Sequence, residues 1–129
     1  MTGGAIPVDP PGMFTSPAFA QGMVLPAGRT LYVGGQNGRD ASGELVEGGL
    51  GPQTEQALRN VIAVLEAAGS GVEHVAKLTI HLDPDVDPDA AFEASRRVWT
   101  ARTAVTVLLV RTGAPGSLVE IEAIAAVPD

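Results

Sequence analysis

Residues 103–110, TAVTVLLV, are apolar on both faces of a β-strand. Alternation sets Val105, Val107 and Leu109 on one side and Ala104, Leu108 and Val110 on the other. The chain carries only two helical patterns to cover such a strand. Leu58, Val61, Ile62 and Leu65 recur at i, i+3, i+4 and i+7, after Pro52 in the favoured first position and before a terminating Gly69. Asp87-Pro88 then supplies an N-cap followed by proline, which predicts a second helix through about Trp99. Two helices of this size cover one face of a sheet. The other face needs cover from elsewhere, so the chain is expected to self-associate, a closed ring being one solution.

The remaining strands follow from period-two patterns bounded by turn residues. RTLYVGGQ (29–36) is one, and a weaker strand around 19–24 is expected to join it in a hairpin through LPAG. HVAKLTIHL (74–82) puts Val75, Leu78, Ile80 and Leu82 mostly inward and Lys77, Thr79 and His81 outward. SLVEIEAIAAV (117–127) closes the chain, and RTGAPG links it to the strand before. Residues 1–13, with three prolines and three glycines, read as an irregular lead-in to a single domain spanning 1–129. The order is β-β-α-β-α-β-β, an α+β layout with both helices in crossover connections.

At 129 residues the chain can bury roughly two-thirds of its unfolded surface in one core. Aromatics are 4%, so that core must be aliphatic. No cysteine is present, which excludes disulfides and thiolate metal sites and is compatible with a cytoplasmic location. The stretch PAFAQGMVLPAG is too short and too interrupted for a membrane span, and it lacks a signal-peptide layout. A net charge of -7, with 8 scattered Lys and Arg, argues against nucleic acid, whose binding depends on neutralising phosphates.

Most apparent motifs dissolve on inspection. DPDVDPD (83–89) has calcium-loop spacing at Asp83, Asp85 and Asp87, but Pro88 stands where glycine is needed and Ala94 where the last acidic ligand belongs. These acids are read instead as a helix N-terminus favouring the macrodipole. His74 and His81, if both on one strand, face opposite ways and cannot share a metal. VGGQNG lacks the spacing of a dinucleotide loop. Its glycines shape a turn or let backbone N–H groups approach a ligand.

Two charges resist such readings. Arg102 immediately precedes the apolar strand 103–110, and Glu120 lies inside the last strand, sharing a face with Glu122 and Ile124 while Val119, Ile121 and Ala123 point the other way. A charge so placed is costly unless paired or bound to ligand. A structural ion pair between Arg102 and Glu120 or Glu122 is one solution. The other divides the labour, with Arg102 holding a substrate carboxylate and Glu120 handling water or a proton.

Several separate segments in collinear order, SPAFAQGMVLPAGRTLYVGGQ, EQALRNVIAVLEAAGSGVEHVAKLTIHL, ARTAVTV and LVEIEAIA, resemble the Rid (reactive intermediate deaminase, YjgF) family over about residues 16–127. The resemblance implies a chorismate-mutase-like α+β fold, a mixed sheet with two helices on one face, and a homotrimer with clefts between subunits. It implies hydrolysis of 2-imino acids and their enamine tautomers, of the 2-aminoacrylate type, to a 2-keto acid and ammonia, with no metal or organic cofactor. Its carboxylate-binding arginine falls on Arg102, its water-positioning glutamate on Glu120, its turn glycine on Gly35 and its pocket aromatic on Phe19. Gly34, Thr103 and Ala104 complete the implied substrate contacts.

In this implied mechanism Arg102 grips the substrate carboxylate through two parallel hydrogen bonds, and Glu120 activates the water that adds to the imine carbon. Departures stand beside the match. The passage RRVWTART into the arginine is short, Phe19 replaces a tyrosine, Gly34 a serine and Ala104 a cysteine, so the pocket is less polar and suits a larger or more hydrophobic imine. The alternatives are a non-catalytic small-carboxylate binding or regulatory protein on the same scaffold, and, against the charge, an endoribonuclease.

Overall fold

The computed structural model describes residues 4–129. Its elements run β1 (Ile6–Val8), β2 (Gly22–Val24), β3 (Arg29–Asn37), α1 (Leu50–Ala67), β4 (Val75–Leu82), α2 (Pro88–Arg96), β5 (Ala104–Leu109) and β6 (Val119–Val127). The main sheet is ordered β3-β6-β4-β5. β6 runs antiparallel to both its neighbours, whereas β4 and β5 are parallel. Both helices therefore lie in crossovers between parallel strands, as the element order requires.

The alternation expected of the last strand is present. Val119, Ile121, Ala123 and Ala125 are buried against α1, while Glu120, Glu122 and Ile124 face outward. Cross-strand partners extend this inner layer, Ile80 opposite Ile121, Leu78 opposite Ala123 and Val33 opposite Ala123. From α1, Leu58, Val61 and Leu65 close the core, which is aliphatic apart from Trp99. Buried leucines and valines of this kind contribute about 1.5–3 kcal/mol each.

Four local expectations need correction. The lead-in is not irregular throughout: Ile6–Val8 forms β1, although residues 1–3 lie outside the described residues. The short strand at Gly22–Val24 pairs antiparallel with β1 and not with β3, so the hairpin through LPAG does not form. Asp9, on the far side of β1, helps explain this choice, since its Oδ1 accepts from the N–H of Gln21 at 3.0 Å and draws the two segments together. α1 starts two residues before Pro52, because Gly48 and Gly49 adopt φ of 109° and 84° and turn the chain in early. Proline is still tolerated there, its missing N–H being one of the unpaired donors of a first turn.

β5 is an edge strand, and in a single chain both its faces are largely open. Leu108, on the face away from the helices, is 45% exposed. The fourth correction concerns α2, which begins as expected, with Asp87 accepting from the N–H of Asp89, but ends at Arg96, short of Trp99. The chain then turns Trp99 inward, where its Nε1–H donates to Thr103 Oγ1 at 3.1 Å.

Leu65 is wholly buried beneath α1. Leu65→Ala should lower the stability read from urea denaturation by about 2–5 kcal/mol. A loss below about 1 kcal/mol would mean that α1 does not close this core.

Candidate active site

Glu120 projects from the middle of the sheet beside an irregularity in β3. The register between β3 and β6 shifts between Val33 and Gln36, so Gly34 and Gly35 form a bulge. Bulges of this kind re-aim the side chains around them. At Gly35 the absence of a side chain is a requirement, since a Cβ there would overlap the Glu120 carboxylate, lying 2.8 Å from its Cδ. On the other side, Asn37 Nδ2 donates to Glu120 Oε1 at 3.4 Å and more tightly to Ser117 Oγ at 2.8 Å. α1 sets this arrangement from beneath. Asn60 Nδ2 donates to the carbonyls of Asn37 and Arg39, and Gln53 Oε1 accepts from the N–H of Leu118 at 2.9 Å. The outcome is a half-buried carboxylate with one oxygen against glycine backbone and neighbours that fix its direction.

Arg102 occupies a second position. Its Nη2 forms an ion pair with Asp9 Oδ2 at 2.9 Å and donates to the carbonyls of Phe19 at 2.8 Å and Ser16 at 3.1 Å. The ion pair expected with Glu120 or Glu122 is thus replaced by one with Asp9. Nε is buried and lacks a hydrogen-bond partner among the described residues. The side chain as a whole remains 34% exposed. The backbone N–H of Gln21 lowers the Asp9 carboxyl below its ordinary value; desolvation opposes this and Arg102 adds to it. The tie is therefore intact at neutral pH and is lost only as pH falls through that depressed value.

Phe19, Thr103 and Ala104 cluster with Arg102. The Thr103 carbonyl accepts from the N–H of Ala20 at 3.0 Å. Thr103 itself is 1% exposed and its hydroxyl accepts from Trp99, so it acts as a support and is out of a ligand's reach. Ala104 opens β5 opposite Lys77. A cavity of about 280 Å³ lies between α2 and the sheet, with Phe19, Ile80, Phe92, Trp99, Val105 and Val107 in its lining. Of the candidate site residues named from sequence, only Phe19 reaches it.

One chain does not bring Arg102 and Glu120 together. His81 of β4 is level with both Glu120 and Leu108, and Ala104 lies four residues from Leu108 along β5. Two strand spacings and four residues of rise put Ala104 about 16 Å from Glu120, and Arg102 lies beyond Ala104. The residues therefore form two groups: Glu120 with Gly34, Gly35 and Asn37, and Arg102 with Phe19, Thr103 and Ala104. Sequence reasoning passed over Asp9 and Asn37. The first is hidden in a proline-rich segment and the second in a run of turn formers, and neither carries a pattern that points 80 or more residues along the chain.

The carboxylates of the calcium-like stretch have local work. Asp83 Oδ1 accepts from the N–H of Asp85, Asp83 Oδ2 pairs with Arg111 at 3.1 Å, and Asp87 caps α2. No helix among the described residues is long and apolar enough to cross a membrane.

Comparison with known proteins agrees with this architecture. A family model described as Endoribonuclease L-PSP matches residues 13–127. A rat protein named 2-iminobutanoate/2-iminopropanoate deaminase is 36% identical over 110 residues, covering 84% of this chain and 79% of its own. Its human namesake is 35% identical over 99 residues, covering 75% and 72%. Among solved structures, a protein of unknown function of the conserved Rid family from Yersinia pestis superposes with a TM-score of 0.79 at 28% identity, covering 95% of this chain and 98% of that one. RidA from an Antarctic Psychrobacter gives 0.70 at 29%, covering 94% and 93%. With fold and sequence in agreement, the chain belongs to the endoribonuclease L-PSP family, also called the YjgF or Rid family.

Proposed function

We propose that this protein hydrolyses reactive 2-imino acids and their enamine tautomers to 2-keto acids and ammonia. The observation that carries the reading is the Glu120 carboxylate, half-buried on the open sheet face and held in place by a glycine bulge and Asn37. Relatives bearing the name 2-iminobutanoate/2-iminopropanoate deaminase support the substrate class. Water held by Glu120 adds to the imine carbon as the carboxylate takes its proton, and the same group later returns a proton toward the departing amine. Such positioned acid–base help is worth about 10²–10⁴-fold, enough for an electrophile as reactive as an imine.

The carboxylate of the substrate belongs at Arg102. Because Nη2 is engaged by Asp9, Ser16 and Phe19, the substrate would take the remaining arm of the guanidinium in place of a fully free fork. Within one chain the distance to Glu120 is too great for a molecule of this size. The complete site is therefore composite, with Arg102 of one copy facing Glu120 of the next across a homotrimer seam. The open faces that such an assembly would cover are those of β5 and β3, where Leu108 and Tyr32 are 45% and 73% exposed.

The rival reading is a carboxylate-binding protein without turnover; the Asp9–Arg102 pair does not choose between the two, since it competes with a ligand carboxylate under either. An RNA-cleaving role is disfavoured by the net charge of -7 and by Glu120 and Glu122 on the open face.

Keto-acid and ammonia release from 2-aminoacrylate generated in situ separates these readings. Glu120→Gln should keep its fold by circular dichroism and lose about 10²–10⁴-fold in kcat. Arg102→Ala should chiefly raise KM. Wild-type rates in a folded Glu120→Gln protein would end the assignment of Glu120 as the acid–base group, and a wild type that binds keto acid without turnover would establish the rival.

Assembly has its own test. Sedimentation should give three times the mass of one chain, and Leu108→Asp should shift that mass toward the monomer by placing a charge on the covered face. A wild-type monomer at enzyme-assay concentrations would exclude the composite site.

A further inference from the structure

We infer that His81 is a second proton-handling residue of this site, an assignment that rests on the hydrolytic reading above. His81 of β4 is the direct cross-strand partner of Glu120 of β6. In an antiparallel pair such side chains share a face with Cβ atoms about 4.5–5.5 Å apart. The ring lies across its partner, with Nδ1 3.2 Å from the Glu120 carbonyl oxygen. A carbonyl only accepts, so Nδ1 carries a proton, and Nε2 is the nitrogen left to exchange one on the outer sheet face; the Glu120 carboxylate leans the other way, towards Gly35 and Asn37 of β3, so water and imine would lie between the two groups.

The surroundings leave this pair to itself. Glu122, the next outward residue of β6, lies opposite Thr79. Lys77, four residues back on β4, donates to Thr106 Oγ1 at 2.6 Å. β5 contributes Thr106 and Leu108 opposite Thr79 and His81, neither of them charged. From β3 come Asn37, amide to Glu120, and Tyr32, which lies opposite Ile124 at the far end of the face. Beyond Leu82, Asp83 is engaged by Arg111. Among the described residues of this face, Glu120 is thus the charge nearest to His81.

Imine hydrolysis moves two protons from water to nitrogen, a relay that one carboxylate can run in sequence and that a second group would share. Two groups of opposite charge complete the cycle. As the water oxygen bonds to the imine carbon, Glu120 takes a water proton and the His81 cation gives one to the nitrogen, so C=N becomes C–N and a carbinolamine forms. Protonated Glu120 then passes its proton to the amine. The C–N bond breaks with its electron pair leaving on nitrogen, the C=O bond forms, and the hydroxyl proton goes to His81. Ammonia and keto acid depart with Glu120 ionised and His81 protonated, as at the start.

The test compares pH profiles of kcat/KM for wild type, His81→Gln and Glu120→Gln. His81→Gln should lower kcat on the order of 10²-fold and abolish the alkaline limb that follows loss of the imidazole proton. His81→Phe, which keeps ring volume, should show the same loss if chemistry and not packing is at stake. Wild-type rates and an unchanged alkaline limb in folded His81→Gln overturn this role while leaving Glu120 as the acid–base group. Wild-type rates in Glu120→Gln would instead overturn the reading on which it rests.

Discussion

The two-faced alternation of β6 is the constraint on which the rest of the molecule depends. This strand lies inside the sheet, hydrogen-bonded to β3 on one side and β4 on the other. Its small and branched inner residues, Val119, Ile121, Ala123 and Ala125, let α1 approach closely, and all are essentially without solvent contact. A slip of one residue would drive Glu120 and Glu122 into the aliphatic core and expose the inner set. Burying those carboxylates unpaired would be costly enough to exclude that register. The packing that secures the fold and the aiming of Glu120 outward are consequences of one pattern.

α1 converts that register into a directed side chain. Gln53 and Asn60 lie on the helix face turned to the sheet end and bind backbone at both approaches to Glu120, the 116–118 loop and the end of β3. Close contact at Gly35 does the remaining work, since the carboxylate occupies the volume a side chain would fill. Core and candidate chemistry share these contacts, so the carboxylate is held by parts of the fold that cannot readily move.

At the other group the logic differs. Arg102 acts as a pin for the N-terminal segment, drawing Asp9, Ser16 and Phe19 onto the start of β5 through one nitrogen. The β1–β2 pair is short and its residues are mostly exposed, so its attachment relies on such polar ties. A carboxylate arriving here would meet an arginine whose orientation is already set, beside an acid that competes for its charge.

Much of this was legible in the linear chain. Period-two and period-3.6 patterns located both helices and the four strands of the main sheet, and Asp87-Pro88 marked the start of α2 to the residue. Glu120 was conspicuous because a charge interrupts an apolar strand. Such signals are local: backbone geometry imposes them on every strand and helix, so they survive without knowledge of neighbours. What only the tertiary structure decided was partnership. β2 chose β1 over β3, Arg102 chose Asp9 over Glu120, and β5 took the sheet edge, leaving Arg102 and Glu120 too far apart to meet in one chain. Pairing depends on which surfaces the whole chain brings within a few ångströms, and no short-range pattern encodes that distance.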